Sequence, residues 1–266
     1  MLKLGIRVSS IKSSGKGHFQ RCLSVRKNIS RKVIWFLDYR NKYLLQKIPK
    51  SDEIFFENKY DGITKLHLAL EKKSINFVLI DNYNISKKNI KIINKKINTA
   101  IFIDHNKMVE ADLIICPQPI NIKLLKGKKY LCGPKYAPIL KLFSNNNIKN
   151  NFNNTILISF GAYDSKAITI KVIEAVKYII YLKKINLKVF ITLGMDSPIK
   201  YKVKEIIKEL PDFHLMLDCN NMSELYKNSD IAVGACGVSY LERLASGLPS
   251  ILIAQNKLHN KLIDEW

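Results

Sequence analysis

The sequence has few of the residues that build disulfide frameworks or metal sites. Its five cysteines are scattered and odd in number, and no two of them have the close spacing of a metal-binding or redox motif. The five histidines are equally dispersed. Disulfide-stapled secreted proteins carry paired cysteines, whereas isolated cysteines are typical of a reducing compartment. We therefore expect free, buried thiols, no metal site and no cofactor.

Long apolar runs are also absent. No stretch approaches the roughly 20 residues that a transmembrane helix requires. The N-terminus, Met-Leu-Lys-Leu-Gly-Ile-Arg-Val, becomes charged too early to act as a signal peptide. These features predict a cytoplasmic protein with no integral membrane segment. Hydrophobic residues make up 47% of the 266 residues, which is typical of a globular chain and excludes a disordered one.

Acidic residues and arginine are both scarce beside lysine. The chain has 44 Lys and Arg against 22 Asp and Glu, which gives a formal net charge of +22. Only 6 of the 44 are Arg, although proteins that read bases favour the bidentate guanidinium group. The lysines are spread along the chain beside Asn and Ile, as in "KKNIKIINKKIN". We therefore expect solvated lysine-rich faces and no nucleic-acid partner, although the excess positive charge favours an anionic ligand.

What the sequence does contain is an alternation of short apolar runs and helical patterns. Apolar runs such as Leu4–Val8 and Thr155–Phe160 alternate with helical stretches such as Ala167–Lys183. This alternation predicts an α/β fold with parallel sheets that are covered on both faces. The Asn-rich stretch "SNNNIKNNFNNT" predicts a linker over residues 146–154. We therefore expect an N-terminal lobe (1–145), a C-terminal lobe (155–266) and a ligand cleft between them.

The first candidate site is the loop "GKGHFQRC", which follows the first apolar run. Gly15 and Gly17 allow a ligand to approach the backbone closely. The helix dipole at the predicted helix start favours a neutral His18 imidazole, which can act as a base. A capping or solvated histidine is the alternative. A third interpretation is a dehydrogenase in which Asp38 would bind the ribose of a dinucleotide. It is the weakest of the three, because Gln20 replaces the third glycine of the dinucleotide motif.

The second candidate site is "SDIAVGACGVSYLERLASGLPSILIA", residues 229–254. A buried strand leads into the glycine-containing turn 234–237, and a helix is predicted to open near Val238 and Ser239. Free N–H groups and the helix dipole make such a turn suitable for a diphosphate. Glu242 lies one turn into the helix, where a carboxylate can accept both hydroxyls of a ribose. The alternative is an ordinary β–α turn with a surface glutamate.

Two further strand ends contain polar residues. Asp81 and Tyr83 in "FVLIDNYNIS" follow a predicted strand at its carboxyl end, where the ligand sites of α/β proteins gather. A turn aspartate and a loop tyrosine are the alternative. Asp104 and His105 in "IFIDHNK" also follow a strand, and we interpret them as a polar strand end.

Together these stretches resemble the UDP-sugar hydrolases of pseudaminic acid biosynthesis, a glycosyltransferase-B-like family with two Rossmann-like lobes. "IRVSSIKSSGKGHFQRCLSV" is similar to the family's opening strand and its G-x-G-H-x-x-R-C-L motif. "IDNYNI" and "CGPKYAPIL" resemble its Asp-x-Tyr strand end and its Gly-Pro-x-Tyr-Ala-x-Leu segment. "ISFGAYD" and "MSELYKNSDIAVGACGVSYLERLASGLPSI" resemble the opening and the nucleotide-binding segment of its second lobe. The five stretches keep the family's order.

The resemblance implies a reaction in which water displaces UDP from the anomeric carbon of a diacetamido-trideoxy-hexose. It implies that His18 is the general base. It also implies that the sugar side includes Gly17, Arg21, Asp81 and Tyr83. The residues that it implies for the nucleotide are Gly161, Gly237, Val238, Ser239 and, for the ribose, Glu242. The expected partner is a small-molecule UDP-sugar, bound by a monomer.

Two alternatives stay open beside the hydrolase. A glycosyltransferase on the same scaffold would move the sugar to an acceptor instead of water. A truncated homologue would only bind nucleotide, and the chain stops inside the helix that follows Ser250–Ala254, so we expect an incomplete second lobe. Ser9 stands where the family usually has Asp, and Ala162 replaces the second glycine of a Gly-Gly turn. These departures bear on the identity of the substrate.

Overall fold

The computed structural model describes residues 2–10, 17–56, 65–82, 85–104, 110–118, 126–139, 143 and 152–266, without the side chains of residues 43, 126–128 and 258. The chain divides into two compact units, Met1–Pro138 with Glu265–Trp266, and Ile139–Asp264. Most of the predicted linker 146–154 lies outside the described residues.

The first unit contains a seven-stranded sheet whose strand order is β3-β2-β1-β4-β5-β6-β7. All neighbouring strands are parallel. The strands are β1 (Leu4–Val8), β2 (Val33–Leu37), β3 (Glu53–Phe56), β4 (Phe77–Asp81), β5 (Asn98–Phe102), β6 (Glu110–Cys116) and β7 (Lys126–Cys132). The helices among the described residues are α1 (Gly17–Arg26), α2 (Lys42–Leu45), α3 (Leu66–Lys72) and α4 (Lys87–Asn94).

The apolar strands of this sheet are buried on both faces. In β2, Val33, Trp35 and Leu37 belong to one hydrophobic cluster. Ile34 and Phe36, which alternate with them, belong to another. Successive side chains of a strand point to opposite faces, so a strand that is covered on both sides is continuously apolar. This packing explains why β2 has the sequence VIWFL.

The second unit contains a five-stranded parallel sheet with the strand order β10-β9-β8-β11-β12. The strands are β8 (Thr155–Ser159), β9 (Lys188–Leu193), β10 (Phe213–Leu217), β11 (Ile231–Gly234) and β12 (Ser250–Leu252). The helices are α5 (Ile168–Lys183), α6 (Lys200–Ile207), α7 (Met222–Asn228), α8 (Val238–Ala245) and α9 (Lys257–Asp264).

The predicted architecture of parallel α/β sheets is confirmed in both units. All five cysteines are free thiols, and Cys22, Cys116 and Cys236 are buried. No helix within the described ranges is both long and apolar enough to cross a bilayer.

Candidate functional site

The first polar cluster lies at the carboxyl edge of the sheet of the first unit. His18 is in the first turn of α1, and its ring Nδ1 is 2.7 Å from Oδ1 of Asp81. Asp81 is the last residue of β4, and it pairs in register with Val8, the last residue of β1. β1 and β4 are adjacent and parallel, and α1, the next described element after β1, starts close to the end of β4.

The contact between His18 and Asp81 fixes the tautomer of the imidazole. A carboxylate only accepts hydrogen bonds, so at this distance Nδ1 holds the proton and donates it to Asp81. The lone pair is then on Nε2, which is the nitrogen that can remove a proton from a substrate or a water. Nη2 of Arg21 also lies 3.1 Å from Nδ1, but two donors cannot bond each other, so this contact is not a hydrogen bond in this tautomer.

Arg21 links the two carboxylates of the cluster. Its Nε and Nη2 donate to Oδ2 and Oδ1 of Asp81 at 2.5 and 2.6 Å, and its Nη1 donates to Oδ1 of Asp104 at 2.5 Å. The guanidinium carbon lies 4.7 Å from the ring centre of Phe102. Burial opposes the charge of the guanidinium, yet Asp81 and Asp104 raise the pKa of Arg21 well above its ordinary value. The bidentate contact holds Asp81 in the orientation that His18 requires.

This cluster contains residues that the sequence predicted and one that it did not. His18, Arg21 and Asp81 are brought together as candidate residues, and Gly17 is the first residue of α1. Asp104, which the sequence analysis interpreted as a polar strand end, forms an ion pair with Arg21. The spacing of 83 residues between them gives no sequence signal for this contact. Tyr83, together with Gly15 and His105, lies outside the described residues.

Asp38 is occupied by protein donors. It accepts hydrogen bonds from the backbone N–H of Ser10 at 2.7 Å and from the hydroxyls of Ser10 and Ser9 at 2.9 and 3.0 Å. Burial works against its ionisation, but these bonds and the charge of Arg7 lower the pKa of Asp38 below its ordinary value. The carboxylate therefore ties the end of β1 to the end of β2. This role disfavours the ribose contact that the dehydrogenase alternative requires.

The second cluster lies at the carboxyl edge of the sheet of the second unit. β8 and β11 are neighbours with Ser159 opposite Gly234, so the loops that follow them start side by side. Gly161 has a φ of +83°, which favours glycine. Gly237 precedes α8, and a Cβ on it would meet no atom within 4 Å. The first residues of α8 are Val238 and Ser239, both half-buried.

The start of α8 is open to an anion. Its N-cap residue is Gly237, which has no side chain to cap the helix, and the first turn contains no acidic residue. The start of α5 differs, because Asp164 accepts hydrogen bonds from the backbone N–H groups of Ile168 and Thr169 at 3.1 and 2.8 Å. An uncapped helix start keeps unsatisfied N–H donors and the positive end of the helix dipole. The N-terminus of α8 therefore suits a diphosphate.

Glu242 lies on α8 in an environment that disfavours its charge. Burial raises the pKa of Glu242 to about 7, although the hydrogen bond from Tyr226 and the charge of Arg243 act in the opposite direction. The Tyr226 hydroxyl donates to Oε2 at 3.2 Å. Tyr226 is itself buried on α7, and burial, followed by the charge of Glu242, raises the pKa of this phenol well above its ordinary value. Tyr226 therefore orients one oxygen of Glu242.

Arg243 is a buried cation directly behind the 234–237 turn. Its Nη2 donates to the Ala235 carbonyl at 2.8 Å and its Nε to the Ser250 hydroxyl at 3.0 Å. Its Nη1 is buried and has no hydrogen-bond partner among the described residues. Burial lowers the pKa of Arg243. A Cβ on Gly234 would lie 2.4 Å from the Ser159 carbonyl oxygen and 2.9 Å from this Nη1, so the neighbouring backbone, together with the arginine, requires glycine there.

Sequence reasoning did not identify Arg243 or Tyr226. Their importance depends on burial and on contacts with other elements, and neither has a motif of its own. No group of three or more His, Cys, Asp or Glu side chains in the described part of the chain could hold a metal ion. The two clusters are therefore an imidazole–carboxylate–guanidinium group in the first unit and an anion-accepting helix start with a carboxyl group in the second.

Sequence comparison finds distant relatives of this chain. No protein-family model matches the sequence. The chain is 24% identical over 291 residues to the uncharacterized protein MJ1062 of Methanocaldococcus jannaschii, in an alignment that covers all of this chain and 58% of that protein. It is 28% identical over 136 residues to the spore coat polysaccharide biosynthesis protein SpsG of Bacillus subtilis, covering 51% of this chain and 38% of SpsG. The chain thus spans less than two thirds of both relatives.

Comparison with solved structures establishes the fold, because the structural alignment extends over nearly the whole chain. The UDP-GlcNAc 2-epimerase of Methanocaldococcus jannaschii, solved with UDP-GlcNAc and UDP, has a TM-score of 0.63 and 11% identity to this chain, covering 99% of this chain and 87% of the epimerase. The fold is glycosyltransferase-B-like, as in solved glycosyltransferases and sugar-nucleotide epimerases. At this level of identity the likeness concerns the fold alone.

Proposed function

We propose that the protein hydrolyses a UDP-linked diacetamido-trideoxy-hexose, releasing UDP and the free sugar for nonulosonic (pseudaminic) acid biosynthesis. The observation on which this proposal rests is the contact between His18 and Asp81, supported by Arg21. The fold, the similarity to a polysaccharide biosynthesis protein and the UDP-GlcNAc complex of the epimerase support a UDP-sugar as substrate. The order of the sequence motifs supports the choice of water as the acceptor.

In the proposed mechanism, Nε2 of His18 removes a proton from a water molecule as its oxygen attacks the anomeric carbon. The bond between that carbon and the bridging oxygen breaks, and UDP leaves with the oxygen. The formal charges of Asp81, Asp104 and Arg21 sum to −1, which is the charge that balances the imidazolium formed in this step. The preorganised carboxylate thus stabilises a charge that develops in the transition state.

The nucleotide end of the substrate is assigned to the second unit. The N–H groups at the start of α8 would donate hydrogen bonds to the diphosphate, with Gly237, Val238 and Ser239 in contact with it. Arg243 behind the turn adds positive charge, and Glu242 would accept the ribose hydroxyls. UDP is already a good leaving group when its phosphates are held in this way, so the reaction needs a base more than an acid.

The reaction is tested by incubating the protein with candidate UDP-sugars in ¹⁸O-labelled water. Attack at the anomeric carbon puts the label in the free sugar and none in UDP, and His18→Asn should slow turnover by about 10²–10⁴-fold. The matched control is His67→Asn, which changes a half-buried histidine on α3 and should retain activity. Label found in UDP would mean attack at phosphorus and would contradict the role of His18.

Two alternatives remain within the same assay. The fold is shared with solved glycosyltransferases, and a sugar that leaves UDP only when an acceptor is added would support a transferase. A protein that binds UDP but turns over none of the UDP-sugars would support the nucleotide-binding homologue. The three hypotheses therefore differ in the fate of the sugar, and the experiment separates them.

A further inference from the structure

Helix α5 is apolar on two sides. Its buried face consists of Thr169, Val172, Ile173 and Val176. On another side, Tyr178, Tyr181 and Leu182 are 63%, 82% and 56% exposed. The spacing of these three residues, i, i+3 and i+4, places them on one helix face. With the neighbouring exposed side chains, the set that we call the α5 patch is Tyr178, Ile179, Tyr181, Leu182 and Ile185.

The α5 patch lies at the opposite edge of the sheet from the candidate nucleotide site. α5 ends at Lys183, and the chain then enters β9 at Lys188, so the patch is next to the amino ends of the parallel strands. Gly161 and Gly237 follow the carboxyl ends of β8 and β11. The proposed hydrolysis therefore gives no reason for five exposed apolar side chains at this edge, and contiguous exposed apolar surface marks an interaction site.

The charge around the patch is positive. Lys183 and Lys184 are exposed and lie between Leu182 and Ile185 in the sequence. The acidic residue of the same helix, Glu174, is already paired with Lys177 at 3.1 Å. Tyrosine and lysine are both amphipathic, with an apolar body and a polar tip that reaches towards water or lipid headgroups. Such a combination suits a surface whose interior is apolar and whose rim is anionic.

We propose that the α5 patch docks onto the surface of an anionic membrane. Leu182 and the isoleucines enter the boundary of the acyl chains, the tyrosine rings lie at the level of the headgroups, and the lysines pair with lipid phosphates. A second copy of the chain fits less well, because an interface between two patches would bring the same lysines together. The net charge of +22 adds long-range repulsion between copies and attraction to an anionic bilayer.

The test is sedimentation of the protein with vesicles of phosphatidylcholine alone or mixed with phosphatidylglycerol. We expect binding to the anionic vesicles, weakening as salt is added, and little binding to the neutral ones. Lys183→Gln/Lys184→Gln should lower the partition coefficient by roughly 30-fold, or about fivefold for each lysine. Tyr181→Ser/Leu182→Ser should lower it at least tenfold. The matched control, Tyr201→Ser on α6, removes a tyrosine that is 69% exposed and should bind as the unchanged protein does.

Three results would overturn this proposal. One is equal binding to neutral and anionic vesicles, and another is equal loss of binding in Tyr201→Ser. The third is a dimer in light scattering that Tyr181→Ser/Leu182→Ser converts to a monomer, which would identify the occupant as a second copy. Thermal unfolding of each variant shows whether the fold is retained. Substitutions at exposed positions of this kind usually change the stability of the fold little. The result does not depend on whether UDP-sugars are hydrolysed.

Discussion

Replacing Glu242 with glutamine should stabilise the ligand-free protein and weaken its binding of nucleotide. Burial raises the pKa of this carboxyl group from 4.5 to about 7, so the ionised form is disfavoured in the folded state. Each unit of such a shift corresponds to about 1.4 kcal/mol. The ionised glutamate thus costs on the order of 3 kcal/mol of folding free energy. Glutamine keeps the shape, and its carbonyl oxygen can still accept the hydrogen bond from Tyr226.

The sign of the pH dependence follows from the direction of the shift. Because the folded pKa is higher than the unfolded one, the folded state binds more protons than the unfolded state between about pH 4.5 and 7. The contribution of Glu242 to the free energy of unfolding therefore falls as pH rises through this window and is constant above it. The stability difference between Glu242→Gln and the unchanged protein should be near zero at pH 4 and reach a plateau of about 3 kcal/mol above pH 8.

Urea denaturation at pH 5 and pH 8 measures this difference, and calorimetry with UDP measures the functional cost. Glu205→Gln, at an exposed position on α6, is the control and should change neither property. Loss of the proposed charged contact with the ribose should weaken UDP binding by about 1–3 kcal/mol. A variant that gains no stability at pH 8 would refute the assigned burial of the carboxyl group. A variant that gains stability but binds UDP normally would refute the ribose contact.

Three further changes test the other charged groups. Asp104→Asn leaves Arg21 with one carboxylate partner, so kcat should fall while the affinity for UDP, measured by calorimetry, stays the same. Reduced affinity for UDP would contradict a role of Asp104 that is confined to the first unit. Arg243→Met should weaken binding of UDP about tenfold or more but leave uridine binding nearly unchanged, since only the diphosphate carries charge; equal losses for both ligands would indicate a purely structural role. Asp164→Ala removes the cap of α5 and should cost about 0.5–2 kcal/mol of stability in urea denaturation, whereas no loss would mean that another group caps the helix.

Much of the fold could be predicted from the sequence because each buried strand is a continuous apolar run. β2 and β8 are of this kind, and β8 (Thr155–Ser159) agrees with the predicted run Thr155–Phe160 to within a residue. β7 gave no such signal. It is an edge strand with the sequence KGKKYLC, and lysines are common on edge strands because they discourage pairing with other chains. Its hydrophobic content alone therefore did not identify it as a strand.

The sequence proposed some residues of the candidate site individually, but it did not predict the contacts between them. His18 and Asp81 were both identified from their positions after strands, yet they are 63 residues apart. Their contact depends on β1 and β4 being neighbours, which requires the crossover in the strand order. The contact between Asp104 and Arg21 depends in the same way on strand order, because it requires β5 to lie next to β4. Local patterns specify strands and turns, whereas the pairing of distant strands is decided by the packing of the whole sheet.

The two clusters differ in the sign of the summed formal charge of the residues named here. In the first unit, two carboxylates surround one guanidinium, so the group has a formal charge of −1 until an imidazolium forms at His18. In the second unit, Arg243 forms no ion pair among the described residues, and the uncapped start of α8 adds further positive potential. The hydrolysis that we propose would generate a proton at the base and a negative charge on the departing diphosphate. Under this proposal, the formal charge of each cluster is opposite in sign to the charge that would develop beside it, and the stabilising groups are in place before the reaction begins.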